Sequence, residues 1–274
     1  MPAPCRVSRP SLGVLSSLVL ACLTVGTPLS AQTAPTVVSS RGYINGNTQA
    51  VHATAPFVST GATTLVAFVS TVPTWNGLPV SIGGLGDNAG NAWQLLVGPT
   101  TWAGGTYSML SAIYYVNAPN TSGSHVLTMT LTNGAPLVAQ VYAVSGSNIG
   151  APPIYSPITD PGPGAIGTDV TSAAINVPPD SLLLGFAKNE NAATASALDG
   201  FALDPQSTSY SWAATLTAVS GGAYSAHFAF SNPVGWQTAI VGLVAASAPV
   251  FLAQSDEAPV SRRDAPPLPP PRGA

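Results

Sequence analysis

Val126-Leu-Thr-Met-Thr-Leu-Thr-Asn-Gly134 decides the fold. In an extended chain, successive side chains point to opposite sides. Leu127, Met129 and Leu131 therefore share one face, and Thr128, Thr130 and Thr132 share the other. Wound as a helix, the same residues would scatter around the circumference. Asn133-Gly134 closes the run with residues suited to a chain reversal. The pattern returns where Ala226, Phe228 and Phe230 alternate with Ser225, His227 and Ala229. A strand with one apolar face needs a second sheet to cover it, so these stretches predict an all-β sandwich or barrel.

Working outward, no stretch of ten residues between 36 and 248 carries helical periodicity. Short runs rich in Val, Ile, Leu, Thr, Tyr and Phe recur between Gly, Pro, Asn and Ser. They predict strands at 64–70, 92–97, 107–116, 126–132, 137–145, 173–177, 181–188, 201–203, 211–219, 224–230 and 238–246. At a constant offset of 99, Leu127–Asn133 aligns with Ala226–Asn232, Val141 with Ile240, and Val144 with Leu243. Upstream, Leu65–Phe68 is similar to Leu182–Phe186, and Asp87…Trp93 has a degenerate counterpart at Asp199-Gly200-Phe201. The expectation is one pseudo-symmetric two-sheet sandwich of jelly-roll type over 32–253. Its halves span about 36–149 and 168–248, joined by a Pro/Gly-rich crossover at 150–167.

Gly86-Asp-Asn-Ala-Gly-Asn-Ala-Trp93, the later Tyr114–Pro119 and Val141–Gly146 together resemble a group of bacterial exported β-sandwich domains with a D-x-x-G-N-x-W turn. Such domains occur in cell-surface, secreted and phage tail proteins, mostly without an assigned activity. The resemblance implies the fold and a binding or structural role.

The ends differ from the middle. Arg6 and Arg9 precede an apolar run, Leu12–Val25, that is short for a bilayer span, and Leu29-Ser30-Ala31 offers a small-residue cleavage site. Residues 1–31 thus read as an export signal, leaving no transmembrane segment in the mature chain. Val19–Cys22 loosely resembles a lipobox, but apolar sequence continues past Cys22. Both cysteines, Cys5 and Cys22, lie in this segment. A chain cleaved after Ala31 would have no thiol nucleophile, thiolate metal site or disulfide. Residues 254–274 hold six charges and a run of prolines, which predicts a disordered tail.

Charge restricts function. Only 6% of residues are charged, and 32–248 carry two basic and seven acidic side chains. Neutralising phosphates takes clustered Lys and Arg, so no nucleic-acid partner is expected. Asp87 and Asn91 could contribute oxygens to a calcium loop, but one carboxylate is few for calcium, and an Asx turn uses the same residues. No other cofactor is indicated. His52, His125 and His227 are isolated in sequence, and no nucleophile elbow or phosphate loop is present. Glu190, with Asp199 or Asp87, is the remaining carboxylate pair for a glycan-acting hydrolase, although no spacing brings them together. Lys188-Asn189-Glu190 otherwise reads as a solvated loop pair.

Aromatic residues are the other candidates. Trp75, Trp102, Tyr155, Tyr210 and Trp236 fall in or near loop-like sequence and could stack on a ligand or plug the sandwich ends. Trp93, Phe201, Phe228 and Phe230 are expected in the core. The reading is an exported, non-catalytic module at the cell surface or secreted, binding a glycan or other uncharged extracellular polymer. The alternative is a structural or self-associating envelope protein.

Overall fold

The computed structural model describes residues 33–104, 108–218 and 220–246. The expected export signal with Cys22, and the expected tail, lie outside them. All regular structure among the described residues is β. Among the described residues no helix is long and apolar enough to cross a membrane.

The first ten strands are β1 (Thr36–Asn45), β2 (Val51–Ala53), β3 (Thr64–Thr71), β4 (Thr74–Trp75), β5 (Leu78–Pro79), β6 (Ile82–Asp87), β7 (Gln94–Trp102), β8 (Met109–Asn117), β9 (Leu127–Leu131) and β10 (Leu137–Ser145). There follow β11 (Ile154–Tyr155), β12 (Gly167–Thr171), β13 (Ile175–Val177), β14 (Ser181–Asn189), β15 (Ala195–Ala197), β16 (Ala202–Leu203), β17 (Ser211–Ala218), β18 (Gly222–Tyr224), β19 (His227–Val234) and β20 (Trp236–Leu243). Two five-stranded antiparallel sheets dominate, in the orders β1-β10-β3-β8-β7 and β11-β20-β14-β17-β16. Smaller sheets β2-β9-β6, β12-β19-β15 and β13-β18 accompany them.

The expected two-sheet sandwich is corrected to a stack of four layers. Leu127, Met129 and Leu131 of β9 pack on Leu65, Ala67, Val69 and Val141, which form one face of the first large sheet. Its other face presents Val66, Phe68, Ile113 and Tyr142 to Leu182, Leu184, Phe186 and Val241 of the second large sheet. The far side of that sheet, with Leu183 and Ile240, is covered by Phe228, Phe230, Val170 and Ile175. Every residue of β3 and of β14 is therefore buried. Leu65–Val69 and Leu182–Leu184 are unbroken apolar runs, the composition that a strand covered on both faces requires. The alternating strand β9 lies outside them and stays exposed at Thr130.

Turns follow their residue types. Asn76 and Gly77 take positive φ values of 51° and 78° and form the two-residue reversal between β4 and β5. Gly134 is required by packing, since a Cβ there would lie 2.3 Å from the Thr48 carbonyl oxygen. Residues 154–159, inside the expected crossover, pair with β20.

Candidate functional site

The even-numbered residues of β14 face the first large sheet. Leu182, Leu184 and Phe186 fill the layer between the sheets, and two residues further along the same row comes Lys188. The row outruns the apolar layer there, where β1 and β3 end and β8 and β10 begin. The space that remains is a cavity of about 420 Å³, lined by Ser70 and Thr71 at the end of β3 and Val72 beyond it, by Met109 and Leu137, and by Trp75, Lys188, Glu190 and Tyr210.

Lys188 is 8% exposed. The expected solvated pair is corrected, because strand alternation turns this side chain inward from the end of β14. Its Nζ donates to the Asn189 carbonyl oxygen and lies 5.1 Å from the centre of the Tyr210 ring. Burial penalises the ammonium and brings its pKa down to about 7, against the opposing pull of the Glu190 charge.

Glu190 is held by the chain opposite. Its Oε1 accepts from the Gly235 N–H at 3.0 Å, and its own N–H donates to the Gly235 carbonyl at 3.0 Å. A Cβ on residue 235 would sit 2.0 Å from the Trp102 ring, so that ring demands glycine there. Trp102 is 1% exposed and donates its indole N–H to the Gly162 carbonyl at 2.8 Å. It thus fixes the backbone that grips Glu190 and presents no face to solvent.

A buried polar chain crosses between the sheets beside the cavity. Ser111 Oγ lies 2.8 Å from Ser70 Oγ and 2.6 Å from Gln237 Oε1, and Gln237 Nε2 donates to the Thr100 carbonyl at 3.1 Å. Gln237 is also the register partner of Lys188 on β20.

Of the five aromatic candidates, the fold brings Trp75 and Tyr210 to this cavity. Trp75 stands at the base of the Asn76-Gly77 hairpin, and its buried indole N–H has no hydrogen-bond partner among the described residues. Trp102 and Trp236, at 1% and 9% exposure, are buried, so they plug the structure and do not form an exposed aromatic face. Tyr155 on β11 is exposed and does not line the cavity. Phe201, Phe228 and Phe230 are buried as expected, while Trp93 is partly buried against the first core.

The Asp87 loop is saturated by donors. Asp87 Oδ1 accepts from the N–H groups of Ala89 and Asn91, both at 3.0 Å. Oδ2 accepts from Asn91 Nδ2 at 3.0 Å and Trp93 Nε1 at 2.8 Å, with His125 Nε2 at 3.1 Å. Burial raises the carboxyl, but these donors outweigh it and hold the pKa below the usual value. Asn91 is spent on both backbone groups of Asn120. A calcium ion would need these oxygens free, so the loop is an Asx turn, completed by Gly90 at φ 74°. Among the described residues no group of three or more His, Cys, Asp or Glu could hold a metal ion.

Asp199 is likewise committed elsewhere. His227 Nδ1 lies 2.9 Å from Asp199 Oδ2, and its Nε2 lies 2.7 Å from Asp169 Oδ1. Burial lowers this imidazole, but the two carboxylates outweigh it and raise the pKa above the ordinary value. With Asp87 and Asp199 both engaged by histidines, Glu190 is the one carboxylate among the described residues lining the cavity. The two-carboxyl hydrolase arrangement is not assembled there.

Sequence reasoning passed over Lys188 as a site residue. Its signal was present: it is the only lysine in the chain, and it continues an apolar row at period two. Comparison with protein-family models, with curated proteins and with solved structures gives no match.

Proposed function

We propose that the protein is an exported binding module that takes a glycan or another uncharged extracellular polymer in the cavity between Trp75 and Tyr210. The observation that carries this reading is their position on one cavity, beside a lysine and a glutamate of opposite formal charge. Aromatic walls supply flat apolar faces against which a sugar ring or other neutral polymer can stack. The low charge of 32–248 suits a neutral ligand.

The same reading includes a jelly-roll-type origin from two similar halves. The matching sheet orders support it: β1-β10-β3-β8-β7 beside β11-β20-β14-β17-β16, and β2-β9-β6 beside β12-β19-β15. The aligned pair Val141 and Ile240 occupies β10 and β20.

Affinity electrophoresis of the purified protein against neutral polysaccharides tests the binding site. Trp75→Ala and Tyr210→Ala should each weaken retardation roughly tenfold, the loss expected when a stacking ring is removed. Tyr155→Ala should bind like the parent. Unchanged binding in the first two variants would place the ligand elsewhere.

A further inference from the structure

Lys188 is the only lysine among 274 residues, and it is buried at the end of a strand. Lysine ordinarily serves solubility at a surface and is almost never fully buried unless paired. No carboxylate forms an ion pair with Lys188 among the described residues, where the pairs that occur all involve histidine. Its Nζ donates to the carbonyl of the next residue, and the residue lines the cavity.

We propose that Lys188 is a covalent capture site for a small aldehyde or ketone, held in the cavity as an imine. The proposal rests on the cavity being a ligand site, as above, and adds the chemistry of the ligand's reactive end. Three features of the site serve it. An amine with a pKa of about 7 keeps a free lone pair at neutral pH, where an ordinary lysine is almost wholly protonated. The Tyr210 face that lies under the ammonium would equally support a protonated imine. Val72, Met109 and Leu137 provide apolar walls that limit the water needed for hydrolysis.

In the reaction, the Nζ lone pair forms a bond to the carbonyl carbon as the C=O π pair moves to oxygen. One amine proton passes to that oxygen, giving a carbinolamine. The second leaves with the hydroxyl as water while the C=N bond forms. Glu190 lines the same cavity and its charge acts on Lys188, but it forms no ion pair with the amine, so water in the cavity carries both protons. The balance is amine plus carbonyl giving imine plus water, with no oxidant or reductant.

The test is reductive trapping. The purified protein is incubated with glyceraldehyde or with hexanal, each with cyanoborohydride, and labelled sites are found by intact mass and peptide mapping. The two aldehydes separate a polar sugar-like carbonyl source from an apolar one. The expected result is one adduct at Lys188, formed at pH 7.5 at least tenfold faster in the folded protein than in the guanidinium-denatured chain. Its rate should level off above about pH 7, whereas the denatured chain's rate keeps rising. Lys188→Arg, which keeps the charge, should give no internal adduct while retaining the parent's circular dichroism. Slower labelling of the folded protein, or an adduct confined to the amino terminus, would overturn the proposal. Polysaccharide binding without an adduct overturns the imine alone. An adduct without polysaccharide binding supports the imine and overturns the polymer reading.

Discussion

Phe68 of β3 and Phe186 of β14 stack across the two large sheets, with ring centres 5.1 Å apart and planes inclined by 8°. Both are fully buried, and Tyr142 closes on Phe186 edgewise at 6.0 Å. This contact joins the central strands of the two sheets, and the row that carries Phe186 delivers Lys188 to the cavity two residues later. Replacing Phe186 with Ala should cost about 3–5 kcal/mol of unfolding free energy, the usual loss for a buried aromatic ring. Guanidinium denaturation measures it. A loss below about 1 kcal/mol would mean that the intersheet layer is not close-packed.

Lys188 makes stability depend on pH in a direction fixed by its lowered pKa. The native amine releases its proton near pH 7, while in the unfolded chain it does so near 10.5. Between these values the unfolded chain binds more protons, so stability rises with pH through that window. Below pH 7 the full cost of burying the ammonium remains. Lys188→Met should therefore stabilise the protein at pH 6 and flatten the rise between pH 7 and 10.5. Urea midpoints at pH 6, 7.5 and 9 provide the check.

His227 acts in the opposite sense. Carboxylate oxygens of Asp169 and Asp199 face both ring nitrogens, and a neutral imidazole has only one N–H to offer. The arrangement favours the imidazolium and raises its pKa. Its stabilising contribution is complete below the unfolded value of 6.5 and fades as pH rises through the higher native value. Melting of the parent relative to His227→Gln should show an advantage at pH 5.5 that shrinks by pH 8.5. An advantage that grows with pH would contradict the geometry.

At the Asp87 turn, five nitrogens converge on one carboxylate. Asp87→Ala leaves buried donors unpaired and should cost on the order of 3 kcal/mol. The carboxyl's lowered pKa gives stability that is present above the unfolded value of 3.8 and lost as pH falls through the native value. Because the oxygens are already spent, millimolar calcium should leave the melting temperature unchanged. A calcium-dependent rise reversed by a chelator would show that the loop opens to bind the ion.

Gly235→Ala tests the link between Trp102 and Glu190. A methyl group there must displace the Trp102 ring, and with it the backbone holding the Glu190 carboxylate. The variant should be destabilised by about 1–3 kcal/mol, the range for overpacking. Polysaccharide retardation should also weaken, more than in a comparably destabilised Phe228→Leu variant on the far outer layer. Equal effects in the two variants would remove the positioning role of Trp102.

Much of the fold was legible in local pattern. Leu127, Met129 and Leu131 are buried on one face of β9 as their alternation requires, and the Asp87–Trp93 turn has its Asx geometry. The aromatic candidates divided on a property that sequence does not carry. Trp75, Trp102 and Trp236 all sit among turn-forming or small residues, yet the cavity receives Trp75 while Gly162 and Gly235 receive Trp102. Which tryptophan faces solvent depends on what packs above it, and those partners are distant in the chain. The pairing of His227 with Asp169 and Asp199 joins residues separated by 58 and 28 positions, so no motif spacing announces it.

By itself, the sequence determined the β class, the faces of β9 and β19, the presence of a turn at Asp87–Asn91 and the scarcity of charge. Each follows from a side chain's relation to its own backbone, with a period of two or a turn of four residues. Tertiary structure alone decided that the two large sheets stack between smaller ones in four layers and that the layer shared by the large sheets stops short of Lys188. Alternation says which side of a strand a residue takes. It does not say what covers that side, and the covering layer makes this lysine a buried amine beside a cavity.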